Sequence, residues 1–152
     1  MRNIRHPHYI GAALAVLALG ASALCHAQLG ATSPANASDG AVMHHAQDGL
    51  LAYRETTDAY GTVVREYVDP AGTVYAVSWR GPSMPNVQAL LGSYFQRFRD
   101  GASASAADAG LHMTRVADGD LVAENRARLR EFSGRAWLAN ALPPGVTPAD
   151  IQ

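Results

Sequence analysis

The sequence contains no lysine and only one cysteine. All 12 basic residues are arginines, set against 13 Asp and Glu residues, and no basic block interrupts the chain. Proteins that bind nucleic acid or an anionic membrane through charge carry a clustered basic patch. The linear sequence therefore gives no sign of either kind of binding.

Residues 1–27 have the pattern of a secretory signal peptide. Two early arginines form its positively charged start, and residues 10–24 form an apolar run that is too short to span a bilayer with ease. We predict cleavage after Ala27, with cleavage after Ala23 as the alternative. The protein is thus predicted to be exported, either to the periplasm or as a secreted protein.

Cleavage after Ala27 would remove Cys25, the single cysteine of the chain. The domain 28–152 would then have no disulfide, although it would enter a compartment where disulfides are stable, so its core alone must hold it together. Removing the two early arginines leaves 10 basic against 13 acidic residues, a net charge near −3. Lipidation of Cys25 is a weaker alternative, because Leu24 stands where a small residue is expected.

No catalytic constellation is visible in the sequence. Ser83 and Ser133 have no His or acidic residue near them that would form a nucleophile elbow. No Gly-rich loop leads into a helix as a phosphate site requires. We therefore predict a protein that is not an enzyme and that uses no cofactor.

The motif D-x-x-G-T-V occurs twice, at 58–63 and at 69–74. Asp at the first and Gly at the fourth position are typical of a type I turn, and Pro70 suits the second position of the later copy. A calcium loop would need several carboxylates at close spacing, and each copy has one. The repeat therefore predicts two tight hairpin turns.

The flanks of these turns are rich in β-branched and aromatic residues and predict a three-stranded meander over 50–57, 62–68 and 73–80. Counting outward from both turns gives the register of the strands. The predicted cross-strand rows share one face of the sheet: Tyr53, Tyr67 and Tyr75; then Glu55, Arg65 and Val77; then Thr57, Val63 and Trp79.

Residues 86–98 carry apolar side chains at helical spacing and predict an amphipathic helix that packs on one face of the meander. Asn86 is a suitable N-cap; the alternative is Ser83 with Pro85 in the first turn. The small, polar segment 100–110 predicts a mobile loop.

The segments 111–117 and 121–132 flank an Asp-Gly turn and predict two more strands, and 133–139 is a candidate last strand. A helix within 121–132 is the alternative, but the apolar residues there form no helical stripe. The Pro-rich end of the chain is expected to fold back on the body through Leu142, Val146 and Ile151.

Residues 28–49 are expected to be loosely ordered, with one helical turn through 41–47. Residues 50–152 then form a single domain. The predicted fold class is α+β: an antiparallel three-stranded meander packed by one amphipathic helix and followed by two or three further strands.

Three stretches resemble a known family: GTVVREYVDPAGTVYAVSWRGP, LLGSYF and FSGRAWLANALPPGVTPADIQ. They are similar to small exported proteins of Burkholderia-like proteobacteria that are classed as a domain of unknown function. The resemblance covers most of 28–152. It implies an exported single domain and carries no activity, substrate or catalytic residue.

Two groups of strand residues are candidate binding sites. Glu55 and Arg65 form a predicted cross-strand pair. Arg65 is expected to lie between the rings of Tyr67 and Trp79, in a cation–π setting. The plain alternative is that the pair is a structural salt bridge beneath the edge of the helix. Trp79 and Arg80 lie at a strand end before Gly81 and Pro82. An aromatic residue beside an Arg is typical of interaction hot spots, and the alternative is that Trp79 belongs to the core.

His44, His45 and His112 are the candidate metal ligands. Adjacent histidines in a helix point about 100° apart, so the first two do not easily share one metal. His44 and Asp48 form a half-site at helical spacing, which His112 would complete by a tertiary contact. The plain alternative is a solvated pair. Cleavage after Ala23 would instead expose a Leu-Cys-His terminus able to bind copper or zinc.

Three classes of function follow from this sequence. The first is a non-catalytic binding module that presents its sheet edges or the corner at Trp79 to an envelope component or a secreted protein. The second is a protease-inhibitor-like envelope domain, suggested by fold analogy alone. The third is a metal-handling or catalytic protein that uses the three histidines.

Overall fold

The computed structural model describes residues 28–32, 41–105 and 113–152. The predicted signal peptide, residues 106–110 of the predicted loop and the candidate ligand His112 lie outside the described residues. Within the described ranges, no helix has both the length and the apolar character needed to cross a membrane.

One antiparallel sheet of seven strands dominates the described part of the chain, in the order β1-β2-β3-β4-β7-β6-β5. The strands are β1 Val42–Ala46, β2 Leu51–Thr57, β3 Val63–Val68, β4 Val74–Gly81, β5 Met113–Asp118, β6 Leu121–Arg128 and β7 Glu131–Leu138. The predicted meander is β2–β4, and its bounds are confirmed to within about one residue. The prediction of further strands is also confirmed; the pairing of β7 with β4, which joins both halves into one sheet, was not predicted.

Both repeated motifs form the predicted turns. In the first, Asp58 Oδ1 accepts hydrogen bonds from the backbone N–H groups of Tyr60 and Thr62, both at 2.8 Å. Asp69 Oδ1 accepts the equivalent pair at 2.9 and 2.8 Å. The glycine of each turn has a left-handed φ, 85° and 83°, which an L-residue with a Cβ rarely adopts.

The predicted register holds in the first hairpin and fails in the second. Tyr53 lies opposite Tyr67 as predicted. In the second hairpin the pairing shifts by one residue beyond Val68, so that Tyr67 lies opposite Ala76 instead of Tyr75. This β-bulge turns Val77 and Trp79 to the other face, which corrects the two predicted rows that contained them.

The predicted helix is confirmed at its predicted position, but it is not continuous. It consists of α1 Val87–Leu91, a 3-10 turn Gly92–Tyr94 and α2 Phe95–Ser105. Asn86 is the N-cap and accepts a hydrogen bond from the Ala89 N–H at 3.0 Å. Residues 100–105 of the predicted mobile loop belong to α2, because their alanines are strong helix formers.

The described parts of the N-terminal segment are tied to the body of the protein. The predicted helical turn through 41–47 is wrong, since 42–46 form the edge strand β1, paired with β2. Leu29 is buried, and its N–H donates to the Leu90 carbonyl at 2.9 Å. Backbone hydrogen bonds thus hold Leu29 and β1 against the rest of the described structure.

The two faces of the sheet carry separate cores. The helical segment packs on one face against a cluster that includes Val64, Val77, Trp79 and Leu121. The other face, called here the tail face, carries the tyrosines and Trp137 and is covered by the end of the chain. The tail packs there as predicted, with Ile151 and Val146 buried and Leu142 partly buried.

Candidate functional site

A row of polar side chains crosses six strands on the tail face. Residues in register on neighbouring strands share a face, and the pairings of β2, β3, β4, β7, β6 and β5 align one residue from each. In that order they are Glu55, Arg65, Ser78, Arg135, Glu124 and Arg115. This row brings opposite charges together at both of its ends.

The predicted pair of Glu55 and Arg65 is present. Arg65 Nε donates to Glu55 Oε2 at 2.8 Å, and this hydrogen bond raises the pKa of Arg65, so the guanidinium stays charged. The predicted cation–π setting is corrected: the guanidinium lies over the ring of Tyr53, 5.2 Å from its centroid. The pair also lies on the tail face, away from the helical segment.

The second pair in the row is made by Arg135 and Glu124. Arg135 Nε and Nη2 both donate to Glu124 Oε2, at 2.9 and 2.7 Å. Arg115 Nε lies 3.6 Å from the other oxygen of the same carboxylate. Glu124 is therefore shared between two guanidinium groups.

The centre of the row holds the end of the chain by its backbone. A main-chain oxygen of Gln152 accepts three hydrogen bonds: from Arg65 Nη1 at 2.8 Å, from Tyr67 OH at 2.9 Å and from Ser78 Oγ at 2.9 Å. Arg135 Nη1 donates to the carbonyl groups of Pro148 and Ile151. Two arginines of the sheet thus bind carbonyl oxygens of the tail, a geometry that also suits an anionic oxygen.

A groove of about 450 Å³ lies beside the docked tail. Its lining includes four arginines, Arg80, Arg115, Arg126 and Arg135, and one carboxylate, Glu124. A smaller cavity of about 250 Å³ includes Glu55 and Arg65 in its lining, and both cavities border Arg80 and Gln152. We call the larger of the two the arginine groove.

Two of the groove arginines lie close to solvent, one in an exposed ion pair and the other against a weak acceptor. The Arg80 side chain is 77% exposed and pairs with Glu131 Oε1 at 2.7 Å. Arg126 is exposed, and its Nη2 donates to the Met113 sulfur at 3.8 Å, a weak acceptor. Both guanidinium groups are therefore available to an anionic ligand at little cost to the fold.

The two candidate residues of the predicted corner, Trp79 and Arg80, have different surroundings in the structure. Trp79 is 2% exposed and belongs to the core of the helix-packed face, which is the alternative given for it above. Its indole lies against Gly134 so closely that a Cβ there would approach a ring carbon to 2.3 Å. Of the two candidate residues, only Arg80 presents its side chain to solvent.

The structure separates two of the three candidate metal ligands. His44 and His45 are consecutive residues of β1, so their side chains point to opposite faces of the sheet. The His44 ring stacks on Tyr53 with centroids 5.1 Å apart. Among the described residues no group of three His, Cys, Asp or Glu side chains is placed to hold a metal ion.

Sequence reasoning missed most of the arginine groove. Its four arginines come from four strands, β4, β5, β6 and β7, and the helical segment separates β4 from the other three along the chain. One local signal was present, since Arg126 and Arg128 follow Glu124 at a spacing of two. In a strand that spacing places all three on one face.

The chain belongs to a family described as "Protein of unknown function (DUF2844)", which matches residues 25–151. This confirms the resemblance at the level of a domain of unknown function. No curated protein and no solved structure matches the chain.

Proposed function

We propose that the protein is an exported, non-catalytic binding module whose arginine groove binds a ligand bearing carboxylate or phosphate groups. The ligand would belong to an envelope component or to a secreted partner protein. The observation that carries the proposal is a groove beside the tail with four guanidinium groups and one carboxylate in its lining. Arginine is suited to such ligands because its planar fork matches both anions.

The chemistry of the lining favours binding over catalysis. Arginine stays protonated at neutral pH and serves poorly as a general acid or base. Glu124 is hydrogen-bonded to Arg135 and lies near Arg115, so both of its carboxylate oxygens already have a cationic neighbour.

Export is proposed on the pattern of residues 1–27, and it is tested separately from binding. We expect protein recovered from the periplasm or the medium of the producing cells to begin at Gln28. A start at Leu24 would support the alternative cleavage site. Protein that stays in the cytoplasm with residues 1–27 attached would refute export.

Binding is tested by titration calorimetry at low ionic strength with two probes, inorganic polyphosphate and a polyglutamate peptide. The two probes separate phosphate from carboxylate recognition. We expect at least one of them to bind. Arg80→Gln and Arg126→Gln, made singly, should each weaken that binding about tenfold, because each removes a charged hydrogen-bond donor.

Arg99→Gln is the matched control, because Arg99 is an exposed arginine of α2, which packs on the opposite face. It should change the affinity less than about twofold. Failure of both probes to bind would overturn the proposal. Equal weakening by the control would show that the protein attracts anions by its general charge and not by the groove.

The other two classes of function gain no support from the arrangement of the site. The metal-handling alternative would need His112, which lies outside the described residues, and it would need His44 and His45 to act from opposite faces of β1. The inhibitor-like alternative still rests on fold analogy.

A further inference from the structure

The hairpin between β6 and β7 ends in an unusual two-residue turn, Leu129-Arg130, between the paired residues Arg128 and Glu131. Leu129 is 100% exposed. Arg130 has a φ of 59°, in the left-handed region. We call the segment 128–130 the hairpin tip.

Neither residue of this turn is a good choice for the fold. Two-residue hairpin turns favour Asn-Gly or Asp-Gly, because these residues tolerate a positive φ. An arginine in that region is strained, and a fully exposed leucine gains no burial on folding. Strained backbone persists at sites of function, so the tip has features that a binding role would explain.

The surroundings of Leu129 are cationic. Arg126, Arg128 and Arg130 are all exposed, and Met113, which is 54% exposed, lies beside Arg126 in the register of β5 and β6. The nearest carboxylate in the hairpin, that of Glu131, pairs with Arg80. The tip therefore combines one fully exposed apolar side chain with two positive charges, and Arg126 adds a third nearby.

We propose that the hairpin tip docks on an anionic phospholipid surface, with Leu129 inserted among the lipids and Arg128 and Arg130 at the phosphate groups. Such a surface attracts basic residues and accepts apolar ones at its boundary. A stable protein interface needs about 600 Å² or more from each partner, an area that a two-residue turn does not provide. This inference goes beyond the proposed ligand of the arginine groove.

The test is flotation with vesicles of phosphatidylcholine, either pure or containing about one third phosphatidylglycerol. The protein is used as purified from cells, with its N-terminus determined by mass spectrometry. We expect the partition coefficient to be at least about tenfold higher on the anionic vesicles. The preference should fall as salt is raised.

Two tip variants should reduce this binding to different degrees. Leu129→Ser removes the inserted group, and we expect a loss of about tenfold. The double variant Arg128→Glu with Arg130→Gly removes two positive charges and adds a negative one, and we expect a loss of about a hundredfold. The glycine also relieves the strained turn, so a folding defect is not expected to cause the loss.

Matched controls lie at other exposed positions. Tyr60 is a 77% exposed turn residue, and Arg99 lies on α2; Tyr60→Ser and Arg99→Glu should each change the partition coefficient less than about twofold. Equal binding to neutral and anionic vesicles, or tip variants that bind like the wild type, would overturn the proposal. The proposal would also be overturned if the wild type bound no vesicles and the tip variants instead lost binding to an acidic protein.

Failure at the tip can be distinguished from failure of the groove. The variant Leu129→Ser should keep the affinity of the wild type for whichever soluble probe the groove binds. The variant Arg80→Gln should weaken the soluble probe about tenfold and change vesicle binding less than about twofold. If either variant weakened binding in both assays, the groove and the tip would not be two separate binding surfaces.

Discussion

At the residue scale, two neighbouring tyrosines of the tail face have different surroundings. The hydroxyl of Tyr67 donates to the Gln152 carbonyl at 2.9 Å and accepts from the Gln152 N–H at 3.0 Å. Tyr75 is 1% exposed, and its hydroxyl has no hydrogen-bond partner among the described residues. Burial, with a smaller contribution from Tyr67, raises the pKa of Tyr75 to about 12.

The variant Tyr75→Phe should be as stable as the wild type or more stable by up to about 1 kcal/mol, because it removes a buried polar group that lacks a partner. Urea unfolding at neutral pH measures this difference. A loss of more than about 1 kcal/mol would contradict the account and show that the hydroxyl makes a hydrogen bond.

The same variant should change the response of stability to alkaline pH. A pKa that is raised in the folded state means that folding favours the neutral phenol. The stability that this provides is complete below the ordinary tyrosine pKa of about 10. It is lost as the pH rises toward the folded value of about 12. We expect Tyr75→Phe to unfold less readily than the wild type over that interval.

At the scale of elements, the tail is held on the sheet by hydrogen bonds to its backbone carbonyl groups and by the burial of Ile151 and Val146. A further contact fixes the preceding turn, where Asp150 accepts hydrogen bonds from Thr147 and from Gln47. These bonds lower the pKa of Asp150. The contribution of Asp150 is therefore present above the ordinary Asp pKa and is lost as the pH falls through the lowered value.

Tyr67→Phe tests the docking of this element. It removes both hydrogen bonds to Gln152 and should lower the free energy of unfolding by about 1–2 kcal/mol. The control is Tyr60→Phe, whose ring is 77% exposed; its effect should stay within about 0.5 kcal/mol. Equal stability of the two variants in urea unfolding would show that the tail does not depend on Tyr67.

An element could be predicted from the sequence when the interactions that form it join residues close together in the chain. The turns at Asp58 and Asp69 were predictable, because the side chain of one residue organises the backbone of the next four. The bulge at Tyr75 was not, since a shift of one residue is set by packing on both faces of the sheet. Strand β1 was missed because its five residues, VMHHA, show no alternation of apolar and polar side chains.

At the scale of the whole molecule, the sheet separates two kinds of surface. The helical segment covers one face with apolar contacts, and the tail face carries the polar row and the arginine groove. The prediction of an α+β fold was correct because hydrophobic periodicity assigns the elements. Of the candidate site, the pair of Glu55 and Arg65 was predictable because it follows from one local turn, and of the groove arginines only Arg80 was a candidate from the sequence.

The groove as a whole requires long-range pairing. Arg80 and Ser133 meet because β4 pairs with β7, and Arg126 joins them because β6 pairs with β7. The pairing of β4 with β7 joins residues about 50 positions apart in the chain, which local sequence patterns do not encode. The linear sequence, which has no basic block, therefore did not predict that the fold brings several arginines to one site.

The central claim is that the arginine groove is the binding surface of this protein. The most direct measurement follows the side-chain Nε–H resonances of the arginines by NMR while polyphosphate or polyglutamate is added. The account predicts saturable shifts at Arg80, Arg115 and Arg126, with Arg97 and Arg99 of α2 unchanged. Shifts of similar size at the α2 arginines, or no shift in the groove with either probe, would contradict it.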